Sequence, residues 1–267
     1  MRVVCLGSGS SGNAFVIQSG STSLLLDVGL PWRLLHAGLV SLGLGDRPLT
    51  AILLSHEHVD HVRSLARVLG VHDSPVYATP GTIRALDPGP GFRHHRILPG
   101  CPLELGETFV VPVPVSHDAA EPVGFVLGDG EHVVAVFTDL GTVDRHVDQS
   151  LSGADLIVLE ANYDSTLLEY GPYPRPLKDR IRSPWGHLSN DDCASTLARL
   201  PLGRVKEIWV AHLSAENNTP DRARRAVTGA IAAGQYRPQV RVLPRRNNPV
   251  VWDSRGDSIG VAQLRFF

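Results

Sequence analysis

Short apolar runs with a two-residue alternation, broken by Gly, Pro, Ser and Asp, dominate this chain, and helical spacing is confined to a few segments. Strands are predicted over residues 2–6, 14–18 and 23–27, the last two joined by the turn-forming Ser19-Gly20-Ser21. A loosely amphipathic stretch covers 31–42, and a short apolar strand covers 50–54. Residues 59–69 carry Val62, Leu65, Ala66 and Leu69 at helical spacing. A strand over 76–78 and a short helix over 80–86, with Pro80 in its first turn, complete the first third.

The middle predicts a meander of strands over 107–115, 123–127 and 132–138, with Gly128-Asp129-Gly130 as a hairpin signal. A polar helix over 142–151 leads into an apolar strand over 155–159. Residues 163–185 are the least regular part of the chain. Ser189, with Asp192 three positions on, opens a capped helix. A strand covers 207–211, and Thr219-Pro220 starts another helix as N-cap and first residue. Strands over 239–243, 250–252 and 261–267 close the chain. No repeat or break in composition marks a boundary, so residues 1–267 read as a single domain. The order of elements predicts an α/β (α+β) fold, two sheets covered on the outside by helices.

Composition narrows the class. The chain has 267 residues, 43% of them apolar and 19% charged, an ordinary globular balance. Its net charge of −2 excludes a polybasic protein but leaves room for a local basic groove. Cys5, Cys101 and Cys193 are far apart and form no CxxC pair, which implies a reducing compartment and no thiolate metal site. The opening MRVVCLGSGSSGN has no signal-peptide core, and no run approaches the roughly 20 apolar residues of a membrane span. A cytoplasmic protein without a membrane partner is expected.

Gly7-Ser8-Gly9-Ser10-Ser11-Gly12 satisfies the dinucleotide-binding spacing G-x-G-x-x-G, with Asp27 downstream as a candidate ribose acid. That motif needs a helix to open at its third glycine. Here Ala14-Phe15-Val16-Ile17 and then Leu24-Leu25-Leu26 follow, which is a hairpin. A nucleotide cofactor is therefore not expected.

The stretch LLSHEHVDHVRSL carries the chemistry. His56, His58, Asp60 and His61 read H-x-H-x-D-H between a strand and a helix. An extended backbone sends His56 and His58 to one side, and Asp60 and His61 fall where the chain turns. Unpaired, such a cluster would be costly, so it calls for a metal. Further candidate donors end apolar runs: His117 after VVPVPVS, Asp139 after VVAVFT and His212 after EIWVA. The donors are nitrogen and oxygen only, which suits Zn²⁺ but equally Mn²⁺ or Fe²⁺.

The constellation resembles the metallo-β-lactamase superfamily, in order and over nearly the whole chain. Asp27 in LLLDVG matches its first motif, a supporting acid; HEHVDH matches the second, and His117, Asp139 and His212 the third to fifth. The resemblance implies a four-layer αββα sandwich and two divalent metal ions, Zn²⁺ or Mn²⁺. It implies that His56, His58 and His117 hold one ion, that Asp60, His61 and His212 hold the other, and that Asp139 bridges. LGSGSSGN, LEANYD, GHLSN and AHLSAENN look like the WalJ/YycJ-like branch of bacterial nucleases. GHLS also resembles the histidine loop of ribonuclease Z. The span from Asp139 to His212 has no room for the clamp domain of ribonuclease J.

The expected function is a dinuclear metal-dependent phosphodiesterase acting on nucleic acid, an exonuclease whose 5′ to 3′ polarity the resemblance alone implies. The alternative is a hydrolase of a small thioester, lactone or β-lactam. Two ions about 3.5–4 Å apart can clamp both oxygens of an in-line displacement. Asp60 is expected to ligate and to orient the attacking water. His187 and His212 both precede Leu-Ser, and either could be the fifth-motif ligand. His212 ends an apolar strand, which favours it as the ligand and leaves His187 to contact the scissile phosphate or to protonate the leaving oxygen. Arg175, Lys178, Arg180 and Arg182 interleave with Tyr170, Tyr173 and Trp185, a composition suited to phosphate contact and base stacking, with Arg180 and Arg182 as candidate substrate residues. Arg222, Arg224, Arg225, Arg245 and Arg246 read as solvated faces.

Overall fold

The computed structural model describes residues 1–87, 92–246 and 248–256. Its first half contains β1 (Arg2–Gly7), β2 (Ala14–Ser19), β3 (Thr22–Leu26), α1 (Trp32–Ser41), β4 (Ala51–Leu53), α2 (Val59–Val62), α3 (Leu65–Val71), β5 (Val76–Ala78), α4 (Pro80–Leu86) and β6 (His94–Arg96). Next come β7 (Leu103–Leu105), β8 (Thr108–Pro114), β9 (Val123–Gly128), β10 (Val133–Phe137), α5 (Arg145–Ser152), β11 (Leu156–Glu160), α6 (Ser165–Tyr170) and α7 (Arg175–Arg182). The last elements are α8 (Asn190–Arg199), β12 (Glu207–Ala211), α9 (Pro220–Ile231), β13 (Gln239–Val242) and β14 (Val250–Asp253). The strand expected over 261–267 lies outside the described residues.

Two seven-stranded sheets result, in the orders β14-β1-β2-β3-β4-β5-β6 and β13-β12-β11-β10-β9-β8-β7. Alternation along each strand builds the layers. In β1, Val3 and Cys5 face the partner sheet, where Phe125, Val158 and Trp209 meet them. Val4 and Leu6 face outward onto Leu35 and Leu39 of α1. In β11, Leu156 and Val158 point inward, while Ile157 and Leu159 pack with Leu151 of α5, Leu197 of α8 and Val227 of α9. The result is the αββα sandwich. β3 to β6 run parallel, as do β10 to β13, so the carboxyl ends of both strand sets open towards one edge. Ligand sites in α/β sheets form at such ends.

The glycine loop connects β1 to an antiparallel β2, the hairpin its sequence predicts, and no helix opens at Gly12. Three expectations change. The helix expected over 59–69 is two short helices, because the Ser64 hydroxyl donates to the Leu30 carbonyl at 2.6 Å and its N–H to that of Val28 at 2.9 Å. Residues 163–185, the least regular stretch of the sequence, fold into α6 and α7, burying Leu168 and Ile181 against Tyr163. The Asp164 side chain caps α6 through the Thr166 and Leu167 N–H groups, an Asx signal legible in the sequence. β6 and β7 were not anticipated; β6 is three exposed residues at a sheet edge, with no apolar run to announce it.

Candidate metal centre

The candidate ligands leave both sheets at one edge. Asp27 follows β3, His56 to His61 follow β4, His117 follows β8, Asp139 follows β10, and His212 follows β12. Asp27, Asp139 and His212 all have left-handed backbone, with φ of 59°, 58° and 53°. That conformation is unfavourable for residues with a Cβ, and it concentrates at functional sites. Each of these three ends its strand with a sharp turn into the cleft.

The donors form two adjoining groups. In one, His56, His58 and His117 have ligand atoms within 4.8 Å of one another. His117 uses Nδ1 on the Gly186 carbonyl at 3.0 Å and turns Nε2 to 3.3 Å from His58 Nδ1. His56 Nδ1 lies 3.0 Å from the Ser55 hydroxyl, and its Nε2 is buried with no hydrogen-bond partner. In the other group stand Asp60, His61, Asp139 and His212. His212 Nε2 is 3.4 Å from Asp60 Oδ2. Asp139 spans the two: Oδ2 is 3.0 Å from His61 Nε2, and Oδ1 is 3.9 Å from His117 Nε2. Rings that present free nitrogen to a shared point, one of them an orphaned buried acceptor, fit divalent metal ions and leave few other ways to satisfy the cluster.

The supporting contacts orient these rings. Asp27 accepts from the Ser55 N–H and hydroxyl, each at 2.9 Å, and from His61 Nδ1 at 2.7 Å, which leaves His61 Nε2 for the centre. Asn13 places Nδ2 3.1 Å from His61 Nε2 and takes its backbone N–H to the Asp60 carbonyl at 2.8 Å. Gly29 is needed for close approach, since a Cβ there would lie 1.6 Å from the Asp60 carbonyl oxygen. Sequence reading assigned no role to Asn13 or Gly29.

Glu160 was also given no role. It ends β11, is fully buried, and holds two histidines with one oxygen: His212 Nδ1 at 2.7 Å and His187 Nδ1 at 2.9 Å. The Leu140 and Leu188 N–H groups donate to its other oxygen at 2.9 and 3.3 Å. Its signal was the one used for His117, Asp139 and His212, an apolar run ending in a donor, here LIVLE. His187 can join Asp139, Glu160 and His212 in a third group of potential donors. The two histidines nevertheless differ: His212 presents Nε2 to Asp60, whereas His187 is partly exposed and lines a cleft of about 200 Å³.

Charges in the centre support one another. Burial disfavours a charged Asp139, but His212 and His61 outweigh it and hold the carboxyl well below its usual range. Burial likewise opposes a charged His61, yet Asp27 and Asp139 push it up to about 10. His212 is raised against its burial by Asp139, Asp60 and Glu160, and His187 by Glu160. His56 has burial, then His61, acting against its charge, so it stays neutral.

Ser10, Asp118, Arg180, His187 and Ser214 border the cleft. Arg180 reaches it from α7 but is ion-paired with Asp118, and Arg182 is ion-paired with Glu169. Tyr170, at the end of α6, and Trp185, just after α7, are 85% and 60% exposed.

A β-lactamase superfamily domain matches residues 25–212. Exodeoxyribonuclease YycJ of Bacillus anthracis is 34% identical over 230 residues, covering 85% of this chain and 87% of that protein. Exodeoxyribonuclease WalJ of Streptococcus pneumoniae serotype 2 is 31% identical over 233 residues, with the same coverage of 85% and 87%. The metallo-β-lactamase fold protein YhfI from Bacillus subtilis shares the fold at a TM-score of 0.71 and 19% identity, over 94% of this chain and 98% of that one. The chain belongs to the β-lactamase superfamily, within the family of the YycJ and WalJ proteins.

Proposed function

We propose that this chain is a dinuclear metal-dependent exodeoxyribonuclease, working 5′ to 3′. The observation that carries the reading is the pairing of two adjoining donor groups, spanned by Asp139, with a cleft-lining His187 that Glu160 holds. A phosphodiesterase needs both a centre for the phosphate and a donor for the leaving oxygen. The relatives named exodeoxyribonucleases favour DNA over RNA as the polymer.

His56, His58 and His117 would hold one ion and Asp60, His61 and His212 the other, with Asp139 between them. Bound Zn²⁺ or Mn²⁺ would activate water and neutralise charge on the phosphate oxygens. Asp60, partly exposed, accepts a hydrogen bond from the attacking water and sets its line of approach. His187 gives its Nδ1–H to Glu160, which raises the ring's hold on its proton against burial and leaves Nε2 to hand a proton to the departing oxygen. Asp27 and Asn13 keep the His61 ring in place. Tyr170 and Trp185, exposed at the end of α6 and just after α7, supply stacking contacts to the polymer. Three unpaired cysteines suit the reducing cytoplasm, and no described helix is long and apolar enough to cross a membrane.

The purified protein, supplied with Mn²⁺ or Zn²⁺, should release nucleotides from 5′- and 3′-labelled DNA, with the 5′ label leaving first. Nitrocefin and a thioester are run beside it. Turnover of either small molecule, with DNA intact, would move the protein to the small-substrate hydrolases.

A further inference from the structure

In the basic segment that stands out in the sequence, all three arginines are held by carboxylates, while Lys178 donates to the Glu169 backbone carbonyl at 2.6 Å. Arg175 pairs with Asp179, Arg180 with Asp118 and Arg182 with Glu169. Elsewhere in the cleft the balance differs. Ser10, the neighbour of Ser11, and Ser214 form a serine wall of the cleft that Leu177, Arg180 and Ile181 of α7 also line. Three guanidinium groups converge on that wall. Arg63 donates to the Ser11 carbonyl at 3.2 Å, Arg246 to the Ser11 hydroxyl at 3.3 Å, and Arg245 to the Ser214 carbonyl at 2.8 Å. Their partners are neutral oxygens, and among the described residues none of the three is ion-paired to a carboxylate.

This wall is attached directly to the metal centre. Ser214 lies two residues after His212, and Asn13, which closes the loop, bonds the Asp60 carbonyl. The segment carrying Arg245 packs on the loop, its side chain 3.3 Å from where a Cβ on Gly9 would stand. Arg63 and Arg246 are exposed. Unneutralised guanidinium groups beside a phosphate-cleaving centre attract the flanking phosphates of a polyanion.

We propose that Arg63, Arg245 and Arg246 form a phosphate-binding rim that grips the nucleic-acid backbone next to the scissile bond, on the serine wall of the cleft. The identity of the polymer rests on the exodeoxyribonuclease reading; the rim itself is a statement about charge and position.

The test measures binding of a fluorescein-labelled single-stranded phosphorothioate oligonucleotide to the metal-loaded protein across a KCl series. For Arg63→Gln and Arg246→Gln, the log–log salt slope should fall by about 0.7 for each charge removed, as for a single strand. Affinity should weaken several-fold at low salt. Arg63→Lys and Arg246→Lys should keep the slope, since they keep the charge. Arg182→Gln should move it less than either rim variant. A slope unchanged in the double Gln variant overturns the rim, as does an equal loss in the Lys variants. Cleavage of DNA by the unaltered protein is scored separately. DNA degraded with an unchanged slope sinks the rim alone; a reduced slope with no DNA cleaved sinks the exonuclease reading alone.

Discussion

His212 and Asp60 meet across the sandwich, Nε2 to Oδ2 at 3.4 Å, although 152 residues separate them in the chain. Asp60 comes from the turn after β4 in one sheet, and His212 from the end of β12 in the other. A centre shared in this way ties the two sheets together.

The two-group arrangement sets a metal count. Elemental analysis of the reconstituted protein should find two ions per chain. His212→Ala should lower the occupancy to about one ion and reduce the melting temperature. His187→Ala should keep both ions. Loss of an ion from the His187 variant and not from the His212 variant would reverse the two roles.

Glu160 and His187 should separate in kinetics. His187→Ala should cut kcat about 10²–10⁴-fold if it is the proton donor. Glu160→Gln keeps the shape but removes the charge shared by both rings, so it should lower kcat and also weaken metal affinity about 10–100-fold. Paired kcat and metal-titration measurements read both effects. A Glu160→Gln enzyme with unchanged metal affinity would mean Glu160 serves His187 alone.

Metal loading should release protons. Asp27 and Asp139 push His61 up to about 10, so the metal-free ring is charged at neutral pH and must lose a proton to ligate. Calorimetry in buffers of different ionisation enthalpy counts the protons released. The same shift gives a stability test. A raised histidine stabilises the metal-free fold fully below about pH 6.5, and that contribution fades as pH rises through about 10. The melting temperature of the metal-free protein should therefore fall over that interval. A flat profile would mean that His61 is not held charged.

Gly29→Ala tests the approach of the Asp60 backbone. The added Cβ would stand 1.6 Å from the Asp60 carbonyl oxygen, so the β4–α2 turn must move. Overpacking of this kind costs about 1–3 kcal/mol, roughly 2–10 °C in Tm for a chain of this size. Metal occupancy should drop with it, because Asp60 and His61 ride on that turn. A variant with unchanged Tm and metal content would show that the turn has room to shift.

The sequence by itself determined what short-range spacing can carry. H-x-H-x-D-H lies within six residues, so a strand followed by a turn suffices to bring its side chains together. His117, Asp139 and His212 were legible because each closes an apolar run, and parallel strands of one sheet end at the same edge. The layers were legible too, since alternation shows which positions are buried on both faces. Tertiary structure alone decided the partners. Glu160 joins His187 and His212 from 27 and 52 residues away, and Asp27 reaches His61 across 34. Local periodicity holds no record of such pairings, because a hydrogen bond between strand ends depends on sheet order and register. The same holds for charge. Arg180 and Arg246 are equally basic in sequence, but folding sets Asp118 against the first and a serine hydroxyl against the second. An arginine's availability to substrate is fixed by which group lies across from it in space, and only the packed chain specifies that.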